Sequence, residues 1–303
     1  MFLNQIYLQK LKRLFVLAFT LISVLLNAQK KVETEIENYL KKSYEFVSVN
    51  LDSALLYNRK ADDLIQNLPK NADKVSVYKS LGNIYLERGD FVNSLNYFLK
   101  ASKIVENKLI SEPNNQQYMT YEIELLIAAG NLELRQNNFD QTLDFYNRAK
   151  AKLEHIKNEA KRHQFKLNIL NNTAGVFLKK EEFNKALKYY ELAQELNVKA
   201  KDEKLEASLL NNMGICYLEN QEYVTSVFVL NKALAIRKKI DDQRGVAQCY
   251  NNLGKAYGLQ KKYKESKYYL EEALKIGHNV GNTESVLYSL FSLKRLYQEL
   301  NDY

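Results

Sequence analysis

The sequence predicts an all-α protein built from antiparallel helix pairs that repeat along the chain. Two prolines and ten glycines are the strongest helix breakers in 303 residues, of which 46% are hydrophobic and 26% charged, and this composition favours long helices. The segment NNLGKAYGLQKKY at residues 251–263 recurs 40 residues earlier as NNMGICYLENQEY, and 40 residues before that as NNTAGVFLKKEEF. A fixed period of this length is typical of repeat proteins. We therefore expect one elongated array rather than two globular domains.

The first 28 residues are predicted to be a signal peptide. Lys10, Lys12 and Arg13 precede the apolar run LFVLAFTLISVLL at residues 14–26, and Ala28 offers a small residue for cleavage. This apolar run is shorter than the roughly 20 residues that a membrane-spanning helix needs. We expect cleavage after Ala28 and an exported mature chain, periplasmic or at the cell surface, with an uncleaved membrane anchor as the less favoured alternative.

Residues 29–303 are expected to form the array, because four residue types recur there in register. Each repeat carries a small residue, an aromatic residue three places later, a second aromatic residue six places after that, and an alanine ten places further on. The small residues are Gly82, Gly130, Ala174, Gly214 and Gly254; the first aromatic residues are Tyr85, Phe177, Tyr217, Tyr257 and Tyr297, with Glu133 as the exception; the second are Phe91, Phe139, Phe183, Tyr223, Tyr263 and Tyr303; and the alanines are Ala61, Ala101, Ala149, Ala193, Ala233 and Ala273.

These residue types suit two antiparallel helices that pack closely. Small residues let the helices approach, and aromatic side chains fill the space beside them. Because glycine costs an exposed helix about 1 kcal/mol relative to alanine, a recurring helical glycine is best explained by close packing. A second small position is expected at the same contact, and it holds Ala54, Ser94, Ala186, Ser226 and Ser266.

The pattern resembles the tetratricopeptide repeat family. In the numbering of that family the small residues stand at positions 8 and 20, the aromatic residues at 11 and 17, and the alanine at 27. The resemblance implies a right-handed superhelical solenoid of antiparallel helix pairs. The usual period is about 34 residues, and the longer repeats here are similar to those of kinesin light chains and of several bacterial regulators. An armadillo or HEAT array has a similar period but lacks these aromatic and alanine positions.

The array is expected to hold six repeats and the first helix of a seventh. Repeat one, at about residues 29–68, has Lys41, Lys42 and Glu45 where small and apolar residues are usual, which fits an amphipathic end cap. Pro113, within residues 111–115, predicts a helix boundary and the longest loop.

The extra length of the repeats is expected in the linkers between them. In KALAIRKKIDDQRGVAQCYNNLG a second helix is predicted to continue to about Ile240. The next first helix is predicted to begin near Arg244. Asp241 and Asp242 are placed to cap it.

In tetratricopeptide relatives the first helices line a concave groove, and the resemblance places polar side chains of this chain there. The three asparagine pairs fall at positions 5 and 6, so they are expected to stack as two ladders. An asparagine amide donates and accepts hydrogen bonds, so a ladder can satisfy the backbone of an extended peptide. The alternative is that the amides brace neighbouring first helices. The expected groove residues are Asn168, Asn171, Asn172, Asn211, Asn212, Gln248, Asn251, Asn252 and Lys255.

Other kinds of site find little support in the sequence. No catalytic motif appears, and His155, His163 and His278 have no partner at ligand spacing, so we expect no enzyme activity, metal or cofactor. Basic residues alternate with acidic ones instead of clustering on one side, which argues against nucleic acid as a partner. Cys216 and Cys249 are expected to be small buried groups, with a disulfide between adjacent repeats as the alternative.

The predicted function is a scaffold that binds a protein or peptide outside the cytoplasm by holding an extended segment in its groove. The alternative is a truncated extracytoplasmic sensor region of a bacterial signal-transduction regulator, of the histidine kinase or DNA-binding type, whose exported repeats this array resembles. Tyr303 stands where the second helix of repeat seven would begin, so that hypothesis places a membrane helix and an output domain downstream. Leu293 and Tyr297 are then expected to be exposed. No particular ligand or oligomeric state is predicted.

Overall fold

The computed structural model describes residues 2–47, 49–66 and 74–301, and these ranges contain α-helices and one short 3-10 helix but no β-strand. The all-α fold class is confirmed. The helices pack in consecutive pairs, such as α7 with α8, α9 with α10 and α11 with α12. In chain order they are α1 (Phe2–Val47), α2 (Leu51–Gln66), α3 (Val75–Glu87), α4 (Phe91–Ser111), α5 (Gln116–Arg135), α6 (Phe139–Lys152), η1 (Leu153–His155), α7 (Glu159–Lys179), α8 (Phe183–Ala200), α9 (Glu203–Glu219), α10 (Tyr223–Lys239), α11 (Gln243–Leu259), α12 (Tyr263–Asn279) and α13 (Thr283–Asn301).

The contacts divide the chain into two compact units, residues 1–128 and residues 129–303. The first unit has an apolar core between α1, α2 and α3, to which Ile36, Ala61 and Leu81 contribute. The second unit has a larger core that continues from α7 to α12 and includes the buried Tyr190 and Leu230. All of the predicted groove residues belong to the second unit.

Helix α1 is longer than the predicted first helix of repeat one. It continues unbroken from Phe2 to Val47, and its core residues come from its C-terminal part, beginning with Val32. Residues 15–26 are exposed. The segment Phe15–Val47 is the one helix in the described ranges long and apolar enough to cross a membrane, a test that signal sequences also pass. The signal peptide at residues 1–28 stays a prediction, and the expected end of repeat one at Leu68 lies outside the described residues.

The predicted contact between small residues holds the two helices of a repeat together. A Cβ atom added to Gly82, Gly214 or Gly254 would overlap the large side chain that faces it on the second helix. The serine at position 20 adds a hydrogen bond at the same place. The hydroxyl groups of Ser94, Ser226 and Ser266 donate to the carbonyl oxygens of Gly82, Gly214 and Gly254 at 2.8, 2.7 and 2.8 Å. The small residues therefore allow close packing and leave a carbonyl oxygen within reach of the serine hydroxyl group.

A left-handed residue ends the first helix of each described repeat from α3 to α11. At position 15 the backbone has a positive φ in Gly89, Asn137, Glu181, Gln221 and Lys261. Glycine is the residue that adopts this conformation without steric cost, yet it occupies this position only after α3. This turn has no recognisable signature in the sequence, because four of its five residues are ordinary polar residues.

The predicted linker between α10 and α11 is confirmed, and it contains a buried ion pair. Asp242 caps α11 by accepting a hydrogen bond from the backbone N–H of Gly245 at 3.0 Å. Its other carboxylate oxygen lies 2.7 Å from Nη1 of Arg237, whose side chain is 8% exposed. A Cβ atom at residue 245 would overlap that Nη1 atom. Gly245 therefore leaves room for the arginine.

Two expectations need correction, and a third is confirmed. The boundary at Pro113 is confirmed, but residues 112–115 form a short loop, and the connection between α6 and α7 at residues 153–158 is longer. Leu293 is buried at 8% exposure, because it packs in a cluster with Leu270 and Leu296, whereas Tyr297 is 43% exposed. The expected burial of Cys216 and Cys249 is confirmed, and both are free thiols, so the alternative of a disulfide between adjacent repeats is not found. Tyr303 lies outside the described residues.

Candidate functional site

The predicted groove residues lie on α7, α9 and α11, which are the first helices of three successive repeats. The structure separates them by exposure. Asn211 and Asn251 are buried, and Asn168 and Gln248 are exposed. The others are half-buried, namely Asn171, Asn172, Asn212, Asn252 and Lys255.

The amide of Asn251 connects two neighbouring first helices. Its Nδ2 donates to the hydroxyl of Ser285 on α13 at 2.9 Å and to the carbonyl oxygen of the same residue at 3.2 Å. Its Oδ1 accepts from the hydroxyl of Ser289 at 2.7 Å. Both serines lie one turn apart on the same face of α13, so a single side chain satisfies both of their hydroxyl groups.

Asn211 makes the corresponding contact between α9 and α11. Its Oδ1 accepts from Nδ2 of Asn252 at 3.0 Å and from the thiol of Cys249 at 3.7 Å. Its Nδ2 lies 3.4 Å from Oδ1 of its neighbour Asn212. The amides of Asn211 and Asn251 therefore brace neighbouring first helices, which is the alternative interpretation of the ladder. A role in ligand binding stays a prediction for these residues.

Asn171, at the same position of α7, lacks this arrangement. The residue of α9 equivalent to Cys249 and Ser289 is Leu209, whose side chain has no hydrogen-bonding group. Within the described part of the chain, Oδ1 of Asn171 is buried and has no hydrogen-bond partner.

The asparagines at position 6 and Asn131 at the neighbouring position 9 are half-buried, and their amides are hydrogen-bonded to other side chains. Nδ2 of Asn172 lies 3.5 Å from Oδ1 of Asn131, which also accepts a hydrogen bond from the buried hydroxyl of Tyr146 at 2.6 Å. Burial raises the pKa of Tyr190, whose side chain is hydrogen-bonded to Asn212. Core tyrosines thus anchor Asn131 and Asn212 directly and Asn172 through Asn131, while part of each asparagine side chain stays accessible.

Lys255 forms an ion pair within the groove lining. Its Nζ lies 2.6 Å from Oε1 of Glu219 on the preceding first helix, and both side chains are more than a third exposed. In the first unit, Lys79 is ion-paired with Glu124. Lys79 therefore already has an acidic partner.

An open cleft of about 550 Å³ lies beside Lys255. Helices α11, α12 and α13 form its walls. The lining residues are Gly254, Lys255, Gly258, Leu259, Lys261, Tyr263, Ser266, Leu270, Tyr288, Phe291, Ser292, Arg295, Leu296 and Glu299. The cleft was not predicted from the sequence, although the sequence contains a signal for it. Position 12 of the first helix holds Leu86, Leu134, Leu178 and Leu218 in four repeats but Gly258 in this one.

The cleft combines apolar walls with basic groups at its edge. Leu270 and Leu296 are buried, whereas Phe291 is 69% exposed. Burial raises the pKa of Tyr288, and the nearby Lys255 and Arg295 act in the opposite direction.

Metal-binding geometry is not found among the described residues, where no group of three His, Cys, Asp or Glu side chains converges. The imidazole of His163 is instead 2.9 Å from the carbonyl oxygen of Leu196. Burial raises the pKa of Cys216 to about 12 and that of Cys249 to about 11. Thiols with raised pKa values are poor nucleophiles at neutral pH.

Solved structures with the same fold are numerous. The apo form of RapI has a TM-score of 0.63 and 16% identity, over 88% of this chain and 72% of that protein. A Rap protein complexed with Competence and Sporulation Factor has a TM-score of 0.63 and 17% identity, over 89% and 73%. A signal-transduction ATPase with a tetratricopeptide repeat sensor, from Pyrococcus horikoshii, has a TM-score of 0.60 and 14% identity, over 92% and 44%. At these identities the likeness shows the fold alone.

Comparison with curated protein sequences gives no match. The family model described as tetratricopeptide repeat matches residues 165–239 and residues 205–277. These matches run from within α7 to within α12, and they include α9 and α11, which carry the asparagine ladder together with α7. Residues 165–277 of this chain therefore consist of tetratricopeptide repeats, as the spacing of its small, aromatic and alanine positions predicts.

Proposed function

We propose that this repeat scaffold binds an extended segment of a protein partner along the first helices α7, α9 and α11, and that it does so outside the cytoplasm. The observation that carries the proposal is the row of half-buried amides at 40-residue spacing, Asn172, Asn212 and Asn252. Each keeps an accessible surface while its position is fixed by a hydrogen bond to a neighbouring side chain.

Preorganised amides are suited to backbone recognition. A peptide backbone presents alternating donors and acceptors, and an amide side chain can match either. Because the amides are already held in place, less side-chain entropy is lost on binding. The exposed Asn168 and Gln248 extend the polar lining. The similar Rap structure complexed with Competence and Sporulation Factor supports the same general use of this fold.

The test compares the wild-type mature chain with a variant carrying Asn172→Ala, Asn212→Ala and Asn252→Ala. Proteins captured by each from envelope extract are identified, and their affinities are then measured with the purified partner. We expect the variant to lose partner binding by about tenfold or more, because each lost amide leaves a buried backbone group of the ligand unpaired.

The matched control replaces three exposed asparagines of second helices, Asn96, Asn107 and Asn231, by alanine. This control changes the same residue type equally often but leaves the groove intact, so it is expected to bind as the wild type does. Helical content and melting temperature are measured for both variants. Equal binding by the groove variant and the control would refute the proposal.

Export is proposed from the apolar segment of α1. Residues 15–26 are exposed and follow three basic residues. Mass spectrometry of the protein recovered from its native cells is expected to show a chain beginning at Gln29. Recovery of an intact N-terminus in the cytoplasmic fraction would contradict the proposed location.

A sensor region of a signal-transduction regulator is the second candidate function. The likeness to a signal-transduction ATPase with a tetratricopeptide repeat sensor favours it. The two functions are separated by the coding sequence after residue 303. A further helix, an apolar segment of about 20 residues and a kinase or DNA-binding domain would establish the sensor, and an immediate stop codon would exclude it.

A further inference from the structure

The cleft between α11 and α13 results from one missing side chain. In the preceding repeat, Leu218 occupies position 12 and is 2% exposed, so a buried side chain fills the space at this position. In the first unit, Leu86 at the same position is 5% exposed. At Gly258 no side chain enters this space, and the nearest atoms to a Cβ there belong to Ser266 at 3.2 and 3.9 Å. The glycine thus converts a packed contact into a cleft of about 550 Å³.

The size and lining of this cleft suit a large apolar side chain. Its volume falls within the roughly 300–1,000 Å³ typical of ligand pockets. Leu270 and Leu296 are buried in its lining, and Phe291 and Tyr288 present partly exposed rings. An exposed phenylalanine next to an open apolar cleft gains stability when another apolar group covers it.

The charges around the cleft favour an anion beside that side chain. Three basic residues, Lys255, Lys261 and Arg295, line it together with one acidic residue, Glu299. Arg295 is paired with Glu299 at 3.2 Å, and Lys255 with Glu219 at 2.6 Å. Within the described ranges Lys261 forms no ion pair. A carboxylate entering the cleft would therefore meet one unpaired cation and two cations whose partners are exposed.

We propose that this cleft, the Gly258 pocket, binds the C-terminal residue of the partner's segment, with a large apolar or aromatic side chain against Leu270 and Phe291 and the terminal carboxylate facing the basic residues. A C-terminal residue carries both groups on a single Cα atom, whereas an internal position would need two residues to supply them. Lys255 is also a predicted groove residue, so the pocket continues the proposed groove. The inference rests on the proposed function and adds its specificity.

The probe is the acetylated tetrapeptide Gly-Ser-Gly-Trp with a free C-terminal carboxylate. The protein contains no tryptophan, so the indole emission of the peptide can be followed without interference. Binding is expected to shift this emission to shorter wavelength and to raise its anisotropy. The same peptide with a C-terminal amide is expected to bind several-fold more weakly, because it lacks the charge that meets Lys255, Lys261 and Arg295.

The decisive variant is Gly258→Leu, which restores the residue that four other repeats carry at this position. It is expected to fold, because the preceding repeat already combines a leucine at this position, Leu218, with a serine equivalent to Ser266, namely Ser226. Both serines make the same hydrogen bond to the first helix of their repeat. Filling the pocket is expected to weaken binding of the tetrapeptide by about tenfold or more. Asn231→Leu is the matched control, because it introduces the same side chain at an exposed position of the second helix α10.

A second variant, Phe291→Ser, keeps the pocket open but removes an apolar wall. It is expected to weaken binding of the tetrapeptide by a smaller factor than Gly258→Leu does. The proposed pocket would be refuted if Gly258→Leu left binding of the tetrapeptide unchanged, or if the wild type did not bind the tetrapeptide. If partner capture still depends on the groove asparagines in that case, the proposed function stands and the pocket alone fails. If the tetrapeptide binds as expected while the asparagine variant captures the partner normally, the pocket stands and the groove function fails.

Discussion

Asn171 and Asn251 occupy equivalent positions of two repeats, yet their surroundings give them different energetic roles. Asn251 satisfies two serine hydroxyl groups and a carbonyl oxygen of α13. Asn171 has a buried Oδ1 atom without a partner in the described part of the chain. The difference comes from position 3 of the following first helix, where Ser289 replaces Leu209. The same residue in the same register can therefore stabilise one helix contact and cost free energy at another.

The first prediction compares Asn251→Ala with Asn171→Ala. Removing Asn251 leaves buried serine groups without their partner, which costs about 1–3 kcal/mol. Removing Asn171 also removes an unsatisfied acceptor, so its net cost is expected to be below about 1 kcal/mol. The free energy of unfolding from urea titrations measures both. Equal losses would show that the hydrogen bonds to α13 do not stabilise the second unit.

At the scale of the helical element, the linker between α10 and α11 depends on one glycine. Arg237 is buried and paired with Asp242, which also caps α11. Gly245 provides the space that the guanidinium occupies. In the next linker the equivalent pair is Gly277 and Ser285, so the two positions change size together. In this linker the large arginine side chain faces a glycine, whereas in the next linker the glycine stands at the arginine position and a serine faces it.

The second prediction is that Gly245→Ala destabilises the second unit although alanine is the better helix former. The new methyl group displaces the guanidinium, and breaking a buried ion pair costs about 3–5 kcal/mol, of which about 1 kcal/mol is recovered through helix propensity. Gly175→Ala is the control, because open space surrounds Gly175, and it is expected to be neutral or stabilising. Thermal and urea unfolding report both changes, and a stabilising effect of Gly245→Ala would contradict this account.

The turn between paired helices yields the third prediction. Gln221 has a φ of 65°, in the left-handed region, where Gly89 stands after α3 with a φ of 76°. A residue with a Cβ atom pays about 1–2 kcal/mol in this conformation, while glycine also gains entropy in the unfolded chain. Gln221→Gly is therefore expected to raise the free energy of unfolding by about 0.5–1 kcal/mol. A lower urea midpoint would instead show that the glutamine side chain stabilises the turn.

At the scale of the whole molecule, the sequence was sufficient for the helix pairs, because their contacts depend on positions that recur. Gly254, Ser266 and Leu270 meet as the spacing predicts, since small and large residues at fixed intervals admit one close packing. The register also placed Asn251 and its equivalents on the first helices.

The parts that escaped prediction depend on departures from the repeat or on a neighbour outside it. The Gly258 pocket arises where a recurring leucine is absent. A comparison of repeats that looks for shared residues does not detect the one repeat that lacks such a residue. The partners of Asn251 are set by Ser285 and Ser289, which the repeat pattern does not specify. The length of α1 followed from uninterrupted helix formers between the apolar segment and repeat one, because no residue there ends a helix.

The last prediction concerns alkaline pH, since buried acidic groups with raised pKa values are distributed through the second unit. Burial raises the pKa of Cys249 from 9.0 to about 11, with Arg237 and Asp242 nearby, and that of Cys216 to about 12. Burial also raises the pKa of Tyr146 and Tyr190 above the ordinary value of 10.0. In the unfolded chain these groups lose their protons at lower pH than in the folded chain. Their contribution to stability is therefore complete below about pH 9 and is lost as the pH rises through the folded pKa values.

The free energy of unfolding, and with it the urea midpoint, is accordingly expected to stay level up to about pH 9 and then to fall. Each thiol lowers the free energy of unfolding by about 1.4 kcal/mol per pH unit until its folded pKa is reached. The variant with Cys216→Ala and Cys249→Ala separates the thiols from the tyrosines. Its midpoint at neutral pH reports the change in packing, and its slope just above pH 9 is expected to be smaller than that of the wild type, because only the tyrosines remain to ionise. Identical slopes for the two proteins would mean that the thiols ionise equally in the folded and unfolded chains, and that their burial between the helices has no energetic consequence at alkaline pH.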